Sequence, residues 1–317
     1  EMRNAIGFHS PPTESGDMIM VDKTTRRTFL KRNAALGLGA IFGSAPLTTR
    51  GSRAQSAPDS SSSSPLEKVR LAVIGMGGRG NSLLGNLLEM KDDVEIRGVC
   101  DLHRDRAEAA QARVAKAGFA PPEVYAGDED IWKKLVERED LDAVVIATYW
   151  EWHTPMAVYA MRMGKYAAVE VPAAYTLDEC WQLVDTHEQT GVPCMMLENW
   201  SMRSDNLAVL NMIRLGLLGE IVHCHCAHSH DCIDHWFFDR ETGQDRWAAK
   251  YLVEHNRDQY PSHQLGPVIS WMDINCGDYF DYITSTATDP VGINEYFATR
   301  FGPDHPNAKR QFAQGDI

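Results

Sequence analysis

The sequence predicts an α/β fold in which a doubly wound parallel sheet is followed by a smaller α+β domain. Apolar runs that suit buried strands alternate with helical segments between residues 67 and 199, and a glycine-rich turn joins the first run to the first helix. Beyond residue 200 the alternation gives way to helices, a polar insertion and short alternating runs. Repeated strand–helix units imply parallel strands, and 317 residues are enough for two domains.

Composition and charge limit the classes of function. The chain is 44% hydrophobic and 24% charged, which is typical of a globular protein, and no apolar run approaches the ~20 residues of a membrane span. We therefore expect no stable membrane anchor. With 31 Lys and Arg against 44 Asp and Glu, the formal net charge is −13, which argues against nucleic acid as a partner.

Residues 1–66 have the features of a removable leader and linker. Arg26 and Arg27 precede a short apolar run rich in Gly and Ala, which resembles a twin-arginine (Tat) export signal, and a serine-rich stretch follows at 60–64. We expect export to the periplasm or beyond; a basic, frayed N-terminus is the alternative. The seven cysteines are odd in number and several fall in predicted core elements, so they do not indicate a disulfide framework.

The first predicted strand, Val69–Ile74, runs into the glycine-rich turn 75–80 (GMGGRG) and then into a helix. The spacing is that of dinucleotide-binding turns. Gly75 permits the tight turn, Gly77 lets the backbone approach a pyrophosphate, and Gly80 lets the helix pack against the strand. The phosphates would lie at the helix N-terminus, where free N–H groups and the helix dipole favour anions.

A second predicted strand, Val94–Cys100, ends in Asp101, 21 residues after Gly80. A carboxylate at this position accepts the ribose hydroxyls of an adenosine and repels a 2′-phosphate. We therefore expect NAD rather than NADP as the cofactor. The nearby Arg104 weakens this preference.

The strand–helix alternation continues to residue 199. Helices are predicted at 129–137, 154–163 and 177–190, and strands at 142–148, 166–169 and 193–197. Ligands bind beyond the carboxyl ends of parallel strands. The candidate site segments are therefore those that follow the three strands, namely residues 150–153 (WEWH), 170–172 (EVP) and 198–199 (EN).

The second domain is predicted over residues 200–317. We expect its sheet to close over the cofactor. Its predicted elements are helices at 206–215 and 266–275, a strand rich in histidine and cysteine at 223–232, a polar aromatic insertion at 236–258 and a strand at 282–287.

The glycine-rich turn, Glu170-Val171-Pro172 after the 166–169 strand, and Gly219-Glu220-Ile221 after a helix together resemble the Gfo/Idh/MocA oxidoreductase family. Most members have Glu-Lys-Pro where this chain has Glu170-Val171-Pro172. Their lysine assists hydride chemistry, and Val171 takes its position in this chain. Within that family, the sequences GMGGRG, WEWH, EVPAA, DECWQLVD, CMMLEN, AVLNM and YPSH resemble glycoside hydrolase family 109. The resemblance covers residues 66–317.

Members of family 109 are NAD-dependent α-N-acetylgalactosaminidases, and many have Tat signals. The resemblance implies a cycle without net redox change. Bound NAD⁺ would oxidise the C3 hydroxyl of the sugar to a ketone, which acidifies the C2 proton. A base then removes that proton, the C1 leaving group is expelled, water adds, and NADH returns the hydride. The cofactor need not leave, and the route differs from hydrolysis by two carboxylates.

The resemblance also implies the site residues, position by position. His263 is the candidate for acid–base catalysis because imidazole titrates near neutral pH; a structural role at a helix start is the alternative. Tyr260 would bind or polarise the sugar. His230 is a further catalytic candidate, which comes from the histidine–cysteine stretch at 223–232 and not from the resemblance. The expected cofactor contacts are Gly75, Gly77, Arg79, Gly80, Asp101, Trp150, Glu151, Trp152, His153, Glu170, Val171 and Asn199. The expected substrate contacts are His228, Tyr260, Pro261, Ser262 and His263.

Three positions depart from the family pattern. Met202 and His228 stand where the family has tyrosines, and Ala248 stands where it has an arginine. All three are on the substrate side, whereas the cofactor side is intact. The sequence therefore predicts NAD but leaves the sugar and its anomer open.

The stretch His223–Cys232 alternates histidine and cysteine. In a strand, its three cysteines would share one face with His228 and His230. Thiolates and imidazoles can bind zinc, but neighbours on one strand lie in a line ~6.5–7 Å apart, which does not suit a tetrahedral site, and no CxxC is present. We therefore expect this face to line the sugar pocket without a metal.

Family members continue past the point where this chain stops, so we expect the second domain to be incomplete. Two alternatives to the glycosidase remain. The first is a periplasmic NAD(P)-dependent sugar dehydrogenase, against which Val171 and export away from the NAD pool both argue. The second is a non-catalytic sugar-binding protein that retains NAD, which Met202, Ala248 and the short second domain favour. A homo-oligomer is left open.

Overall fold

The computed structural model describes residues 67–259 and 261–316. The predicted export signal and linker at residues 1–66 and the candidate site residue Tyr260 lie outside the described residues. Within the described ranges, no helix is long and apolar enough to cross a membrane.

The first domain is built on six parallel strands. They are β1 (Val69–Ile74), β2 (Val94–Asp101), β3 (Glu123–Ala126), β4 (Ala143–Ile146), β5 (Tyr166–Val169) and β6 (Cys194–Met196). Their order across the sheet is β3-β2-β1-β4-β5-β6, and every neighbouring pair is parallel. This order confirms the predicted doubly wound sheet. The order reverses between β1 and β4, which is where ligands bind in such sheets.

Five helices cover the faces of this sheet. They are α1 (Gly78–Glu89), α2 (Arg104–Lys116), α3 (Ile131–Val136), α4 (Trp150–Arg162) and α5 (Leu177–Thr190). Helix α2 and strand β3 fall in a stretch for which no element is predicted. Helix α5 has its predicted bounds, since it begins with a capping box between Thr176 and Glu179 and ends at Gly191 in the left-handed conformation.

Helix α4 begins four residues earlier than predicted, at Trp150 rather than Thr154. The WEWH sequence is therefore the first turn of a helix and not a loop. Glu151 in this turn interacts favourably with the helix dipole, and Trp150 is buried against the second domain. Pro155 lies inside the helix, where it lacks an amide hydrogen and its ring crowds the Glu151 carbonyl group, but the helix continues through it.

The core of the first domain lies on both faces of the sheet. On one face Ile74 and Ile146 pack with Met161 of α4, and on the other Val73 packs with Leu84 of α1. All five residues are at most 2% exposed. Because successive side chains of a strand point to opposite faces, burial on both faces accounts for the continuous apolar runs in β1 and β4.

In its described residues, the second domain has helices and helical turns but no strand. Its helices are α6 (Ser204–Arg214), α7 (Ala249–Glu254), α8 (Pro261–Trp271) and α9 (Val291–Phe301), with 3₁₀ turns at 200–202 and 306–308 and a π turn at 233–237. The strands predicted at 223–232 and 282–287 are wrong, because neither segment forms a strand or pairs with one among the described residues. A strand needs partners for its backbone N–H and C=O groups, and alternating side chains do not supply them.

An aromatic cluster joins the second domain to α4. Trp150 stacks on Tyr251 of α7, with ring centroids 4.5 Å apart and planes 12° from parallel. Phe238 is buried in the same cluster. Glu151 accepts hydrogen bonds from Lys250 and from the Tyr251 hydroxyl. These contacts fix the first turn of α4 between the two domains.

Candidate functional site

The glycine-rich turn between β1 and α1 has the geometry of a dinucleotide cradle. Gly75 has a φ of +92°, and a Cβ there would lie 2.5 Å from the Ala147 carbonyl oxygen. A Cβ at Gly80 would lie 1.7 Å from the Gly75 oxygen, so α1 can approach β1 only without a side chain. A Cβ at Gly77 would meet nothing within 4 Å. The turn therefore leaves room beside the free N–H groups at the start of α1.

Asp101 ends β2 and holds two turns together. Its Oδ2 accepts a hydrogen bond from the Met76 amide at 2.7 Å, and its Oδ1 accepts one from the His103 amide at 2.8 Å. The residue is 8% exposed. Each carboxylate oxygen has a second lone pair, so Asp101 can bind both backbone donors and still accept ribose hydroxyls.

A first cavity of about 640 Å³ lies over these two turns. Its volume falls within the range of ~300–1,000 Å³ that is usual for small-molecule and cofactor sites. Its lining includes five of the expected cofactor contacts, namely Gly75, Gly77, Arg79, Asp101 and Trp152. The room at Gly77, the anion-binding start of α1 and the carboxylate of Asp101 together fit a dinucleotide such as NAD.

A second cavity of about 510 Å³ adjoins the first. The two linings share Gly78, Arg79, Ala147 and Thr148, so the cavities meet at the start of α1. Beyond this junction the second cavity is lined by Trp150, His153, Glu170, Val171, His235 and Trp236. Four of these residues are expected cofactor contacts, namely Trp150, His153, Glu170 and Val171. The last two follow β5, so the segment after β5 lies at the second cavity.

Arg79 and Glu170 form an ion pair at the second cavity. Arg79 Nε donates to Glu170 Oε1 at 2.5 Å, and Glu170 Oε2 accepts a hydrogen bond from the Val171 amide at 3.1 Å. Glu170 is buried, whereas the Arg79 side chain is 43% exposed. A buried carboxylate needs such partners, because an unpaired buried charge is costly. The pair fixes the loop after β5, with its cis Val171–Pro172 bond, against the glycine-rich turn.

His153 connects the ends of β4 and β5. Its Nδ1 lies 2.7 Å from the Pro172 carbonyl oxygen, and its Nε2 lies 3.1 Å from the Thr148 carbonyl oxygen. Burial of the ring lowers its pKa, and the two carbonyls partly oppose this effect. A neutral imidazole donates from only one nitrogen, so it binds one of the two carbonyls by a hydrogen bond. His153 thereby helps to position the wall of the second cavity.

Glu151 and Asn199 lie outside the linings of both cavities. Burial raises the pKa of Glu151, but hydrogen bonds from Lys250 and Tyr251 outweigh it and the pKa is lowered overall. Asn199 is exposed, and its carbonyl oxygen accepts a hydrogen bond from the Met202 amide at 3.2 Å. The expected contact of these two residues with the cofactor stays a prediction.

His263 and Glu198 form a buried pair. His263 Nδ1 lies 2.9 and 2.8 Å from the two carboxylate oxygens of Glu198, and the side chains are 8% and 6% exposed. Trp200 stacks on the imidazole with ring centroids 5.5 Å apart, and its amide donates to Glu198 Oε1 at 2.7 Å. Because a carboxylate only accepts hydrogen bonds, Nδ1 carries the proton and Nε2 of the neutral ring is an acceptor.

A row of rings connects the second cavity to this pair. The ring centroids of Trp236 and His230 are 5.9 Å apart, those of His230 and His228 are 5.8 Å apart, and those of His228 and His263 are 5.0 Å apart. Trp236 lines the second cavity, so the row leads from that cavity to His263. Burial lowers the pKa of His228, and the two neighbouring imidazoles act in the same direction.

The remaining predicted residues lie around the start of α8. Pro261 and Ser262 begin this helix and place His263 in its first turn.

In the described part of the chain, no group of three or more His, Cys, Asp or Glu side chains could hold a metal ion. All seven cysteines are free, and burial raises the pKa of Cys100 to about 12, which keeps that thiol protonated.

Glu198, Arg246 and Trp247 are site residues that the sequence does not reveal. Glu198 follows β6 and falls in a candidate segment, but no local pattern pairs it with His263, 65 residues away. Gly266 is a faint indication, because a Cβ there would lie 2.9 Å from Glu198 Cγ and α8 could not come so close. Arg246 and Trp247 line both cavities from within the polar insertion, where the sequence marks them only as the residues before Ala248 and predicts no role for them.

Two family models match the chain. Residues 69–198 match a model described as an oxidoreductase family with an NAD-binding Rossmann fold. Residues 202–317 match a model described as the C-terminal domain of glycosyl hydrolase 109.

Curated relatives agree with these models. An alpha-N-acetylgalactosaminidase of Bacteroides fragilis is 43% identical over 255 residues, which cover 80% of this chain and 60% of that protein. An alpha-N-acetylgalactosaminidase of Shewanella oneidensis is 37% identical over 301 residues, which cover 92% of this chain and 64% of that protein. This chain therefore spans less than two thirds of the length of these relatives.

Solved structures are similar to part of the chain. A myo-inositol dehydrogenase from Lactobacillus casei is 23% identical with a TM-score of 0.43, over 48% of this chain and 43% of that one. An NAD-binding protein from Listeria innocua is 27% identical with a TM-score of 0.40, over 48% of this chain and 42% of that one.

Proposed function

The chain belongs to glycosyl hydrolase family 109, with an NAD-binding Rossmann domain of the oxidoreductase family, and from this premise we propose that it is an NAD-dependent glycosidase. The observation that supports this function best is the make-up of the two joined cavities. One is a dinucleotide groove, and the lining of the other contains Glu170 as its one described carboxylate. Hydrolysis by two carboxylates needs a pair that flanks the glycosidic bond. Cofactor chemistry therefore accounts better for this site.

NAD supplies hydride chemistry when bound, since it accepts a hydride from a sugar carbon and later returns it. The chain's own residues hold the wall beside it. The Arg79–Glu170 pair and His153 fix the loop that contains Val171. Val171 is 4% exposed. Because its side chain is aliphatic, it neither donates nor accepts a proton. Proton transfer must come from another element.

We assign proton transfer to His263. Glu198 keeps Nδ1 protonated, so Nε2 of the neutral ring can accept the proton next to a sugar ketone. Burial of both side chains keeps bulk water away from the pair. We propose that His228 and His230, whose rings stand between the second cavity and the pair, bind the sugar. Tyr260 keeps the role that the family resemblance implies.

The sugar is proposed from the relatives and from the departures in sequence. Two relatives named alpha-N-acetylgalactosaminidase make an N-acetylated hexosaminide the first candidate. Ala248 is fully buried in the aromatic cluster, so no cation reaches a substrate from that position. Met202, which stands where the family has a tyrosine, is 61% exposed and has no hydroxyl group to offer a sugar. We therefore propose a glycan related to α-N-acetylgalactosaminides but bound with a different set of polar contacts.

Two measurements test the proposed function. The purified protein should release stoichiometric NAD on denaturation, identified by its absorbance spectrum. Cleavage of aryl α- or β-glycosides in deuterated water should place deuterium at C2 of the sugar. Absence of NAD would contradict the function, and cleavage without exchange would exclude the oxidation–elimination route. Accumulation of NADH with an intact glycoside would indicate a sugar dehydrogenase instead.

We also propose that the protein is exported by the Tat pathway. Arg26 and Arg27, followed by a short apolar run, support this proposal. Fractionation of cells with and without a working Tat translocase tests it. Equal amounts of protein outside the cytoplasm in both strains would contradict it.

A further inference from the structure

We propose that Arg246 and Trp247 of the second domain hold NAD in its groove, so that the cofactor stays bound between turnovers. This inference rests on the proposed function, because a glycosidase without net redox change needs its NAD retained and not exchanged. Four observations support it: the position of both residues, the backbone support of Arg246, the ring contacts of Trp247 and the charge of Arg246.

The two residues lie at the junction of the cavities. Arg246 and Trp247 belong to the linings of both, as does Gly78 at the start of α1. The first cavity contains Asp101, the expected ribose partner, and the second contains Val171, at the expected nicotinamide side. A dinucleotide that spans both cavities must pass its pyrophosphate through this junction. Arg246 and Trp247 therefore bring the second domain to the junction at which the start of α1 would bind a pyrophosphate.

A short hairpin, residues 238–247, holds Arg246 in place. Phe238 and Asp245 form an antiparallel bridge, and the Asp239 amide donates to the Gln244 carbonyl oxygen at 2.8 Å. The Arg246 amide donates to the Phe237 carbonyl oxygen at 2.8 Å. Phe238 is buried in the aromatic cluster. An arginine on such a support loses little backbone freedom when it binds an anion.

Trp247 closes the hairpin against the rim of the first domain. Its ring stacks on Tyr149 with centroids 5.3 Å apart and planes 13° from parallel, and it meets Trp150 edge-on at 5.7 Å. Tyr149 lines the first cavity just before α4. Each stacked or edge-on pair stabilises the contact between the domains. An aromatic contact thus joins the second domain to the first at the edge of the cofactor groove.

The charge of the junction suits a pyrophosphate. Arg79 and Arg246 bring two guanidinium groups to it, one from each domain. Glu170 forms an ion pair with Arg79. Arg246 lies close enough to Asp239 for its charge to lower the pKa of that carboxyl. Guanidinium groups bind phosphate oxygens in a planar, two-pronged geometry that lysine does not reproduce. Arg246 therefore adds a second guanidinium group to the described junction, and this one is not in the Arg79–Glu170 ion pair.

The test compares the rate of NADH release from the full chain and from variants of the hairpin. Protein loaded with NADH is mixed with excess NAD⁺, and the loss of bound NADH fluorescence gives the dissociation rate. Arg246→Ala should release NADH about 10-fold faster or more, because a charge-assisted hydrogen bond is lost. Arg246→Lys should lie in between, and Trp247→Ala should also release faster. The effect of Arg246→Ala should shrink at high salt.

Arg240→Ala is the matched control. Arg240 lies on the same hairpin and its side chain is 74% exposed, but it lines neither described cavity, so its variant should release NADH at the rate of the unaltered chain. Unchanged melting curves would show that all variants fold. If Arg246→Ala and Trp247→Ala release NADH as slowly as the unaltered chain, the inference is overturned and the proposed function stands. If the unaltered chain binds no NADH, both fail.

Discussion

Replacing Glu198 by glutamine tests the buried pair most directly. The change keeps the shape of the side chain and an oxygen for the Trp200 amide, now bound at 2.7 Å. It removes the negative charge that faces His263 Nδ1 at 2.8 and 2.9 Å. A hydrogen bond to a charged group contributes about 1.5–3 kcal/mol, against about 0.5–1.5 kcal/mol for a neutral one. A loss of about 1–2 kcal/mol from the bond that orients the base corresponds to a roughly 5–30-fold lower kcat.

The assay measures kcat and KM on an aryl glycoside together with the rate of deuterium exchange at C2. We expect Glu198→Gln to lower kcat and the exchange rate by the same factor and to change KM little, because Glu198 acts through His263 and not on the sugar. Glu198→Asp keeps the charge and should recover part of the rate. Circular dichroism and NAD content control for folding. An unaltered kcat in Glu198→Gln would refute the reasoning that the carboxylate orients the base.

The glycine-rich turn offers a matched pair of substitutions. Gly80→Ala should lower the melting temperature strongly, because its Cβ would lie 1.7 Å from a backbone oxygen. Gly77→Ala should keep the melting temperature and weaken only NAD binding, because its Cβ would meet nothing within 4 Å. Thermal melts and NAD titrations check both variants. Burial lowers the pKa of His153, so its contribution to stability is complete above the unfolded-state pKa of about 6.5 and is lost as the pH falls below it. In urea titrations, the stability difference between the unaltered chain and His153→Gln should therefore shrink from about pH 7 to about pH 5, and a constant difference would contradict this account. Burial also raises the pKa of Cys100 to about 12, so this thiol should resist alkylation in the folded protein at about pH 8 while the exposed Cys180 reacts; mass spectrometry after labelling distinguishes the two.

The parallel sheet could be predicted because its evidence is local. The runs Val69–Ile74 and Ala143–Ile146 are apolar throughout, as strands buried on both faces must be, and they are strands in the structure. The glycine-rich turn was equally predictable, since Gly75 and Gly80 stand where a side chain would collide with backbone. The apolar runs and the glycine spacing are local patterns, so a single sequence contains them, although the side chain that Gly75 excludes would meet the distant Ala147.

The helix predicted at 206–215 is α6 in the structure. The remaining conformation of the second domain and the buried pair could not be predicted, because they depend on contacts between distant segments. The alternation at 223–232 is typical of a strand, but the segment has no strand partner in the described structure. The pairing of Glu198 with His263 depends on how closely α8 approaches, which the absence of a side chain at Gly266 allows. The early start of α4 likewise reflects packing of Trp150 and not any local pattern.

The contacts around the first turn of α4 mean that the two domains are not independent units of folding. Trp150 is 5% exposed because Tyr251 and its neighbours cover it, and Glu151 relies on donors from α7. A cut at residue 199 would uncover an indole and strip a carboxylate of its partners beside the cofactor groove. Recombination between relatives is therefore expected to yield stable chimaeras only when α4 and α7 come from the same parent.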